Sequence, residues 1–543
     1  MQPECIPINA IPGATALYKA LVGEGAQLDA AAKSLLRECY PTAATGDAWL
    51  GNSKTKKLSA EHRAKLADLL EQQNAAWGAD AAVMANITRL REGADAVVSG
   101  QQVVLFGGPL LTLLKAATAV QLAQKATEAG KPHVPIFWLA SEDHDFAEVS
   151  HVSLLEKNSV ETLSVTENAA DAAVPVGRRL LGEAVTAALE QAKFLLGHAP
   201  VCELLDAAYQ PGASFADAFA KFLQGVFAGQ GLILIDAATR EFHALGAETL
   251  RGAITHAAEL QAEIGKRSKA LEAAGFHAQV TAVENGSLLF LIDEKSGARN
   301  ALRRVDAGWR AGTENYSTED LLKILETAPE RLSPNALLRP VFQDTLLPTT
   351  AYIGGPAEMA YFAQSQVAYA KLLGQTTPVL PRLSATLVEN AIAHIMDRYG
   401  LTLHEVMTTQ AELGQRLGAR AMPVEGKRKL AAAGNALDGE LTALTEWMKT
   451  LDENLGRSAE VAANKMRYQM NRLRQMAANF EVQKENSLAK HSAQMVLHLY
   501  PQQTLQERVV GGAFFVARYG DGLAQLLVEQ AGDVCGGHKV ILL

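Results

Sequence analysis

The spacing of apolar positions changes several times along the chain, and each change predicts a different kind of element. Within the first 90 residues, after an irregular entry, "KLSAEHRAKLADLLEQQNAAWG" sets Leu66, Leu69 and Leu70 on one helical face. "DAVVSG" is then a short apolar run closed by a small, turn-forming pair. "GPLLTLLKAATAVQLAQKATEAGK" reads as a helix with Pro109 near its first turn and Gly130 just past its end, and "HVPIFWLA" is a second buried strand. Strand, loop, helix, strand is the βαβ pattern, which implies an α/β fold with a parallel sheet and loops opening at the strand C-terminal ends. The pattern resumes in "SFADAFAKFLQGVFAGQGLILIDAATREF", a helix carrying Phe215, Phe219, Phe222 and Phe227 followed by the strand "GLILID", and a further helix is expected over roughly 240–273.

Between about 276 and 310 the texture becomes a meander. "LLFLID" is a strand, "EKSG" a tight turn and "NALRRV" its partner, so an antiparallel insertion in the α/β domain is expected. "PVFQDTLLPTTAYIGGPAEMAYFAQS" returns to a polar, Pro- and Gly-rich loop before a helix, and "PVLPRLSAT" gives one more apolar segment ending in a polar turn. From about 385 the chain reads as almost entirely helical. Leu437, Leu441, Leu444, Met448, Leu451 and Leu455 recur in steps of four and three, a heptad seam that Ala459, Ala462, Met466, Met470, Leu473, Ala477 and Phe480 continue with one stutter. Gly456 followed by Ser458 can instead mark a break and a new cap. Two readings stay open: amphipathic helices packed on the core, or a projecting hairpin used for self-association. "GAFFVARYG" and "HKVILL" close the chain as short apolar runs that rejoin the body. The expected division is 1–384 for the α/β core with its insertion, 385–498 for the helical coiled-coil region and 499–543 for a returning segment.

Composition narrows the functional classes. A chain of 543 residues is too long for one ordinary core, and with 48% apolar and 20% charged residues it is globular. A formal net charge of -9 argues against a dedicated nucleic-acid binder. Cys5, Cys39, Cys202 and Cys535 lie far apart with no C-x-x-C pair, so neither a zinc module nor a disulfide framework is expected, and a reducing compartment is. "MQPECIPINAIPG" lacks a basic segment followed by a long apolar one, and no stretch approaches the roughly 20 apolar residues of a membrane span, so the expectation is a cytoplasmic protein without a membrane partner.

Three polar clusters fall where an open parallel sheet binds ligands, beyond the carboxyl ends of its strands. In "SGQQVVLFGGP", Ser99, Gln101 and Gln102 leave a strand, and Gly107, Gly108 and Pro109 lead into a helix whose N-terminus can hold a phosphate or carboxylate, with Lys115 further along; a plain structural turn is the alternative. The stretch is neither a dinucleotide fingerprint nor a P-loop. In "FWLASEDHDFAEVSH", Glu142, Asp143, His144 and Asp145 follow a strand, with Glu148 and His151 close behind. Repelling carboxylates at one strand end suit an ammonium ligand, Mg2+ or proton transfer by His144, unless Asp145 simply caps the next helix with Glu148 at its third position. The gap between His144 and His151 is not a single-turn zinc spacing. In "LLRPVFQDTLLPTTAYIGGPAEMAYFAQ", Arg339 can clamp a carboxylate or phosphate or pair with Asp344, among Gln343, Thr349, Tyr352, Gly354, Gly355, Glu358 and Gln364; "PRLSAT" adds Arg382 and Ser384.

Taken in order, "VVSGQQVVLFGGPLLTLLKAATAVQLA", "PIFWLASEDHDFAEVSHV", "LLRPVFQDTLLPTTAYIGGPAEMAYFAQ" and "PRLSAT" strongly resemble the bacillithiol synthase family, cysteine ligases that complete bacillithiol assembly. The resemblance covers nearly the whole chain. It implies a Rossmann-like core related to nucleotidyl transferases and class I aminoacyl-tRNA synthetases, with connecting insertions and a coiled-coil arm supporting a homodimer. The implied reaction joins the carboxyl of L-cysteine to the amine of glucosaminyl-malate. ATP is then a sensible co-substrate and Mg2+ its companion, although the first strand-to-helix loop carries Ser-Gly-Gln-Gln where those relatives have His-x-Gly-His. On this reading Glu142, Asp143 and Asp145 hold an amine, His144 takes the proton, Arg339 and Arg382 face malate carboxylates or phosphate, and Gln101 and Gln102 bind sugar or nucleotide. Gln343, Asp344, Tyr352, Glu358 and Ser384 complete the substrate site, and Gly107, Gly108 and Lys115 the nucleotide site. Two rivals are a metal-dependent hydrolase built on Asp143, His144, Asp145 and His151, and a non-catalytic dimeric scaffold.

Overall fold

The computed structural model describes residues 4–23, 28–51, 58–167, 171, 173–281, 283–306, 308–532 and 535–543. Residues 1–3 of the irregular entry, Lys57 at the head of the first predicted helix, and residues 282 and 307 of the predicted insertion lie outside the described residues. The strands, in chain order, are β1 (Glu4–Pro7), β2 (Asp95–Gln102), β3 (His133–Ala140), β4 (His151–Leu155), β5 (Val160–Ser164), β6 (Ile233–Ile235), β7 (Gly286–Ile292) and β8 (Arg299–Val305). They continue with β9 (Gly308–Ala311), β10 (Glu314–Tyr316), β11 (Leu332–Pro334), β12 (Thr349–Gly354), β13 (Val379–Pro381), β14 (Ala385–Val388) and β15 (Gly537–Leu542).

The central sheet has the order β13-β12-β2-β3-β6, and every neighbouring pair in it is parallel. The chain starts in the middle at β2, steps outward through β3 and β6, then returns to the other side of β2 with β12 and β13. This is the doubly wound, Rossmann-like order, and its switch point lies between β2 and β12. β3, β6 and β13 read as apolar runs because both faces are covered, while β12, TTAYIG, is a strand where the sequence pattern predicts a polar loop. Ala96, Val98 and Ile136 enter one core, while Phe137 and Leu139 enter a second and Val97 a third that it shares with Ala119 and Ala123 of the helix Leu111–Glu128. β2 runs on through Gln102, so Gln101 and Gln102 stand inside the last turn of the ladder, paired with Leu139 and Ala140, and do not leave it.

The insertion is a five-stranded sheet of order β10-β9-β8-β7-β11 whose neighbours are all antiparallel. It extends to Pro334, beyond the expected end near 310, because β11 closes onto β7 after an intervening helix, Thr318–Thr327. The single helix expected over 240–273 is three, Arg240–Leu245, Ala247–Thr255 and Ala257–Ala273, broken at Gly246 and His256.

After β14 the chain is helical up to the last strand. Helices Val424–Leu451 and Glu453–Lys484 form an antiparallel hairpin, so the seam predicted to run on through Leu455 folds back instead. Asp452 makes the turn: its Oδ1 accepts from the backbone N–H groups of Asn454 and Leu455 at 2.9 and 3.0 Å. Gly456 is no cap. A side chain there would meet the backbone of Lys449 at 2.8 Å, so this glycine lets the two arms touch just above the turn. The hairpin leaves Trp447, Leu451, Val461, Met466, Leu473 and Phe480 exposed.

"GAFFVARYG" is a helix, Gly512–Tyr519, and "HKVILL" becomes β15, which pairs with both β14 and β1. That three-stranded sheet brings the two ends of the chain together, and Cys5 and Cys535 are joined as a disulfide. The wide spacing of the four cysteines predicts no disulfide framework, so this pairing is a correction; Cys39 and Cys202 are free and buried. Among the described residues no helix is long and apolar enough to cross a membrane.

Candidate functional site

The C-terminal ends of β2, β3, β12 and β13 open onto one cavity of about 720 Å3, roofed by the inserted sheet. Gln101, Gln102, Lys115, Glu142, Asp143, His144, Arg339, Tyr352, Glu358 and Arg382 all line it. Segments more than two hundred residues apart thus share one polar chamber at the switch point.

At the floor, Lys115 on the helix following β2 donates to the Gly100 carbonyl at 2.9 Å and to Gln101 Oε1 at 2.7 Å, and its Nζ lies 2.7 Å from Glu358 Oε2. Glu358 also accepts from the Gly355 N–H at 2.7 Å and the Tyr352 hydroxyl at 2.8 Å. Burial would push the Glu358 carboxyl up; Lys115 and these donors reverse that and hold it below its ordinary value. Beside it Arg339 donates to the Tyr361 hydroxyl at 3.0 Å and to Gln343 Oε1 at 3.0 Å, with its guanidinium 5.4 Å from the Tyr352 ring centre. Arg339 has no carboxylate within ion-pairing distance among the described residues, and neither does Arg508, which joins the same wall from the C-terminal segment.

On the opposite wall, the string after β3 turns sharply. His144 N–H bonds Asp143 Oδ1 at 2.7 Å, and Gln102 Nε2 reaches Asp143 Oδ2 at 3.1 Å and Glu148 Oε2 at 2.8 Å. Arg299 of β8 comes down from the inserted sheet. It stacks 3.7 Å from the Phe290 ring centre and donates to Ser333 Oγ and the Pro334 carbonyl, both at 3.0 Å. Its remaining Nη1 sits 3.4 Å from His144 Nδ1 and 3.8 Å from Asp143 Oδ1. Behind the wall, buried His243 lies 3.3 Å from Glu142 Oε1.

The two lobes of the chain match separate descriptions. Residues 26–383 match the family described as bacillithiol biosynthesis BshC, N-terminal Rossmann-like domain, and residues 385–543 its C-terminal coiled-coil domain. A relative from Koribacter versatilis is 39% identical over 542 residues, all of both chains. Relatives from Solibacter usitatus and Salinibacter ruber are 33% and 34% identical, over 90% and 88% of each chain. All three carry the name "Putative cysteine ligase BshC".

The chain belongs to the bacillithiol biosynthesis BshC family. As in the description of that family, a Rossmann-like core is followed by a coiled-coil region, and the chamber sits in the core.

Several residues assigned to the site from sequence lie elsewhere. Gly107 and Gly108 do not face the cavity: the Gly107 N–H is taken by the buried Tyr209 hydroxyl at 3.0 Å, a side chain on Gly107 (φ +81°) would collide with Phe222, and the Gly108 carbonyl accepts from Gly512. Leu110, at the start of the following helix, donates to the Val510 carbonyl, so these glycines do not fit a nucleotide phosphate. Asp145 caps the short helix Phe146–Val149 through Glu148 N–H and does not line the chamber. Asp344 is buried under Tyr369, Thr377 and Gln343, and Gln343 bridges it to Arg339 from behind. Burial pushes the Asp344 carboxyl up.

Ser384 is likewise buried, donating to Glu507 Oε1 at 3.0 Å, and Arg382 is tied to the same oxygen at 2.6 Å, so its charge is already matched. His151, exposed at the start of β4 and outside the chamber, bonds the Ala147 carbonyl of the preceding helix, and among the described residues no three His, Cys, Asp or Glu side chains are grouped to hold a metal ion. The hydrolase reading therefore lacks its ligand set. Sequence reasoning missed Arg299, His243, Tyr361, Glu507 and Arg508. "NALRRV" marked the strand over 300–305, but Arg299 opens that strand one position earlier and lies outside the string.

Proposed function

We propose that this chain is a ligase that forms an amide between the carboxyl of L-cysteine and the amine of glucosaminyl-malate. The observation that carries the reading is the polarity of the chamber. Glu142 and Asp143 stand on one wall, suited to an ammonium, and Arg339 and Arg508, without carboxylate partners among the described residues, stand on the other, suited to the carboxylates of malate. The family and the relatives' name give the substrate class. As the N–C bond forms and the C–O bond of the activated carboxyl breaks, the attacking amine sheds a proton. His144 lines the chamber and is oriented by Asp143 and Arg299, so it is the group to take that proton. Gln101 and Gln102 are anchored to Lys115 and to Asp143 and Glu148, which leaves them as wall-shaping residues beside the sugar.

Purified protein incubated with glucosaminyl-malate and cysteine, with and without ATP and Mg2+, is expected to yield a thiol of the condensed mass in at least one arm. Absence of that mass in every arm would overturn the reading. The arms also decide whether ATP drives the carboxyl activation.

The exposed apolar residues on the 424–484 hairpin support a homodimer formed through that arm, since an apolar set of this size is unusual on a monomer. Sedimentation of the full chain is expected to give twice the 58.0 kDa chain mass. Replacing Trp447 and Phe480 with glutamate should return it to one copy, and a monomeric wild type would refute the proposal.

A further inference from the structure

We propose that His243, buried behind the chamber wall, is a positioning residue that holds the Glu142 carboxylate ionised to receive the α-ammonium of the amino-acid substrate. This rests on the ligase reading and deepens it. His243 is carried by the helix Arg240–Leu245 and is wholly buried, with its ring 5.1 Å from that of Phe342. Its Nδ1 lies 3.0 Å from the Thr239 carbonyl, which can only accept, so Nδ1 carries a proton. Its Nε2 lies 3.3 Å from Glu142 Oε1. A neutral imidazole with its proton on Nδ1 would turn a lone pair toward a carboxylate. The contact is favourable only when Nε2 is also protonated, that is, as an imidazolium facing a carboxylate.

The surroundings favour that charge state. The charged groups facing the pair are Arg299 from β8, Arg178 from the turn Val176–Arg178, and Asp236 after β6, which is near Glu142 and takes the Ser141 hydroxyl at 2.6 Å. Burial would raise the Glu142 carboxyl and lower the His243 imidazole, yet the opposite charges override it, so Glu142 lies below and His243 above its ordinary value.

The other carboxylates on the chamber wall are already engaged from the front. Asp143 and Glu148 are held by Gln102, and Glu358 by Lys115, Gly355 and Tyr352. Glu142 is braced from behind by His243, has the Ser333 hydroxyl and the Arg299 charge beside it, and lines the chamber. In amide formation the sugar amine must lose its charge to attack, whereas the α-ammonium of cysteine keeps its charge and needs an anionic seat. Glu142 is that seat.

The test compares calorimetric binding of L-cysteine with that of 3-mercaptopropionate, which lacks the ammonium, in wild type, His243→Gln and His243→Lys. The wild type is expected to prefer cysteine by about 10-fold or more, the scale of one charge-assisted hydrogen bond. The preference should collapse in His243→Gln and return in His243→Lys, which restores a cation. In the wild type it should be present at low pH and fade as pH rises through the His243 titration, followed by 15N NMR of the ring; in His243→Lys that fading should be absent. If His243→Gln does not fold, the pH comparison of wild type with His243→Lys decides.

An unchanged preference in His243→Gln, or the same fading in His243→Lys, overturns the assignment while leaving the ligase reading intact. A wild type that neither binds cysteine nor makes product overturns both.

Discussion

Replacing Glu507 with alanine is expected to destabilise the protein by about 3–5 kcal/mol, the cost of leaving one partner of a buried ion pair without the other. Glu507 is 1% exposed and sits between three parts of the fold. One of its oxygens takes Arg382 Nη2 at 2.6 Å and Ser384 Oγ at 3.0 Å; the other takes the Ala385 N–H at 2.8 Å. With Ser384 donating to Glu507, that hydroxyl accepts from His538 Nδ1–H at 2.8 Å, and His538 Nε2 then accepts from the Thr386 hydroxyl at 2.7 Å. This chain needs a neutral imidazole, and burial pushes His538 down to about 4, so it is neutral at physiological pH.

The same pair predicts an acid limb. Burial would raise the Glu507 carboxyl, but Arg382 and the other donors hold it at about 2, against 4.5 for an unperturbed glutamate. Because the folded value is the lower one, the stabilisation is complete above the unfolded value and is lost as pH falls from about 4.5 toward 2. Roughly 3 kcal/mol disappears across that window. Urea melts of wild type and Glu507→Ala from pH 7 to pH 2.5 should converge at the acid end. Parallel curves, or a loss under 1 kcal/mol at neutral pH, would remove the pair from the account of stability.

The second large effect is on activity. Arg299→Met is expected to lower kcat/KM of the proposed ligase by about 100-fold, because two charge-assisted contacts of about 1.5 kcal/mol each are lost on the residues that handle the amine. Without its guanidinium, Asp143 and Glu142 lose a shared cation and His144 Nδ1 loses its neighbour at 3.4 Å. Arg299→Lys should not rescue, since a point charge cannot serve Ser333, Pro334 and the rim at once. Activity within twofold of wild type, in a variant whose melting temperature is unchanged, would place the rim's chemistry elsewhere.

Much of the chamber was legible because strand ends announce themselves. β2, β3 and β13 each carry a short apolar run followed by polar residues, and the βαβ order required the first two ends to lie on one edge. β12, TTAYIG, reads from sequence as part of a polar loop because its threonines and glycine break the apolar pattern. What stayed hidden came from elements whose own pattern is ordinary. His243 belongs to a short amphipathic helix, Arg299 to a hairpin strand and Arg508 to the one-turn helix Gln506–Val509; no spacing links 142 to 243 or 382 to 507. "GGP" misled because glycines serve two ends: here positive φ and contact with Phe222, not approach of a phosphate. The hairpin turn at Asp452 was masked by Leu451 and Leu455, which keep a step of four across the break. The disulfide had no signature at all, since 530 positions separate its members.

That same closure of the first strand onto the last sets an order of events during synthesis. Among the described residues the ladder partner of 4–7 is 537–542, made about 530 residues later. The parallel edge of 385–388 waits for it as well. The nascent polypeptide therefore carries two unsatisfied strand edges until 537–542 have been made, and a chain lacking those six residues would leave both open to pairing with another molecule.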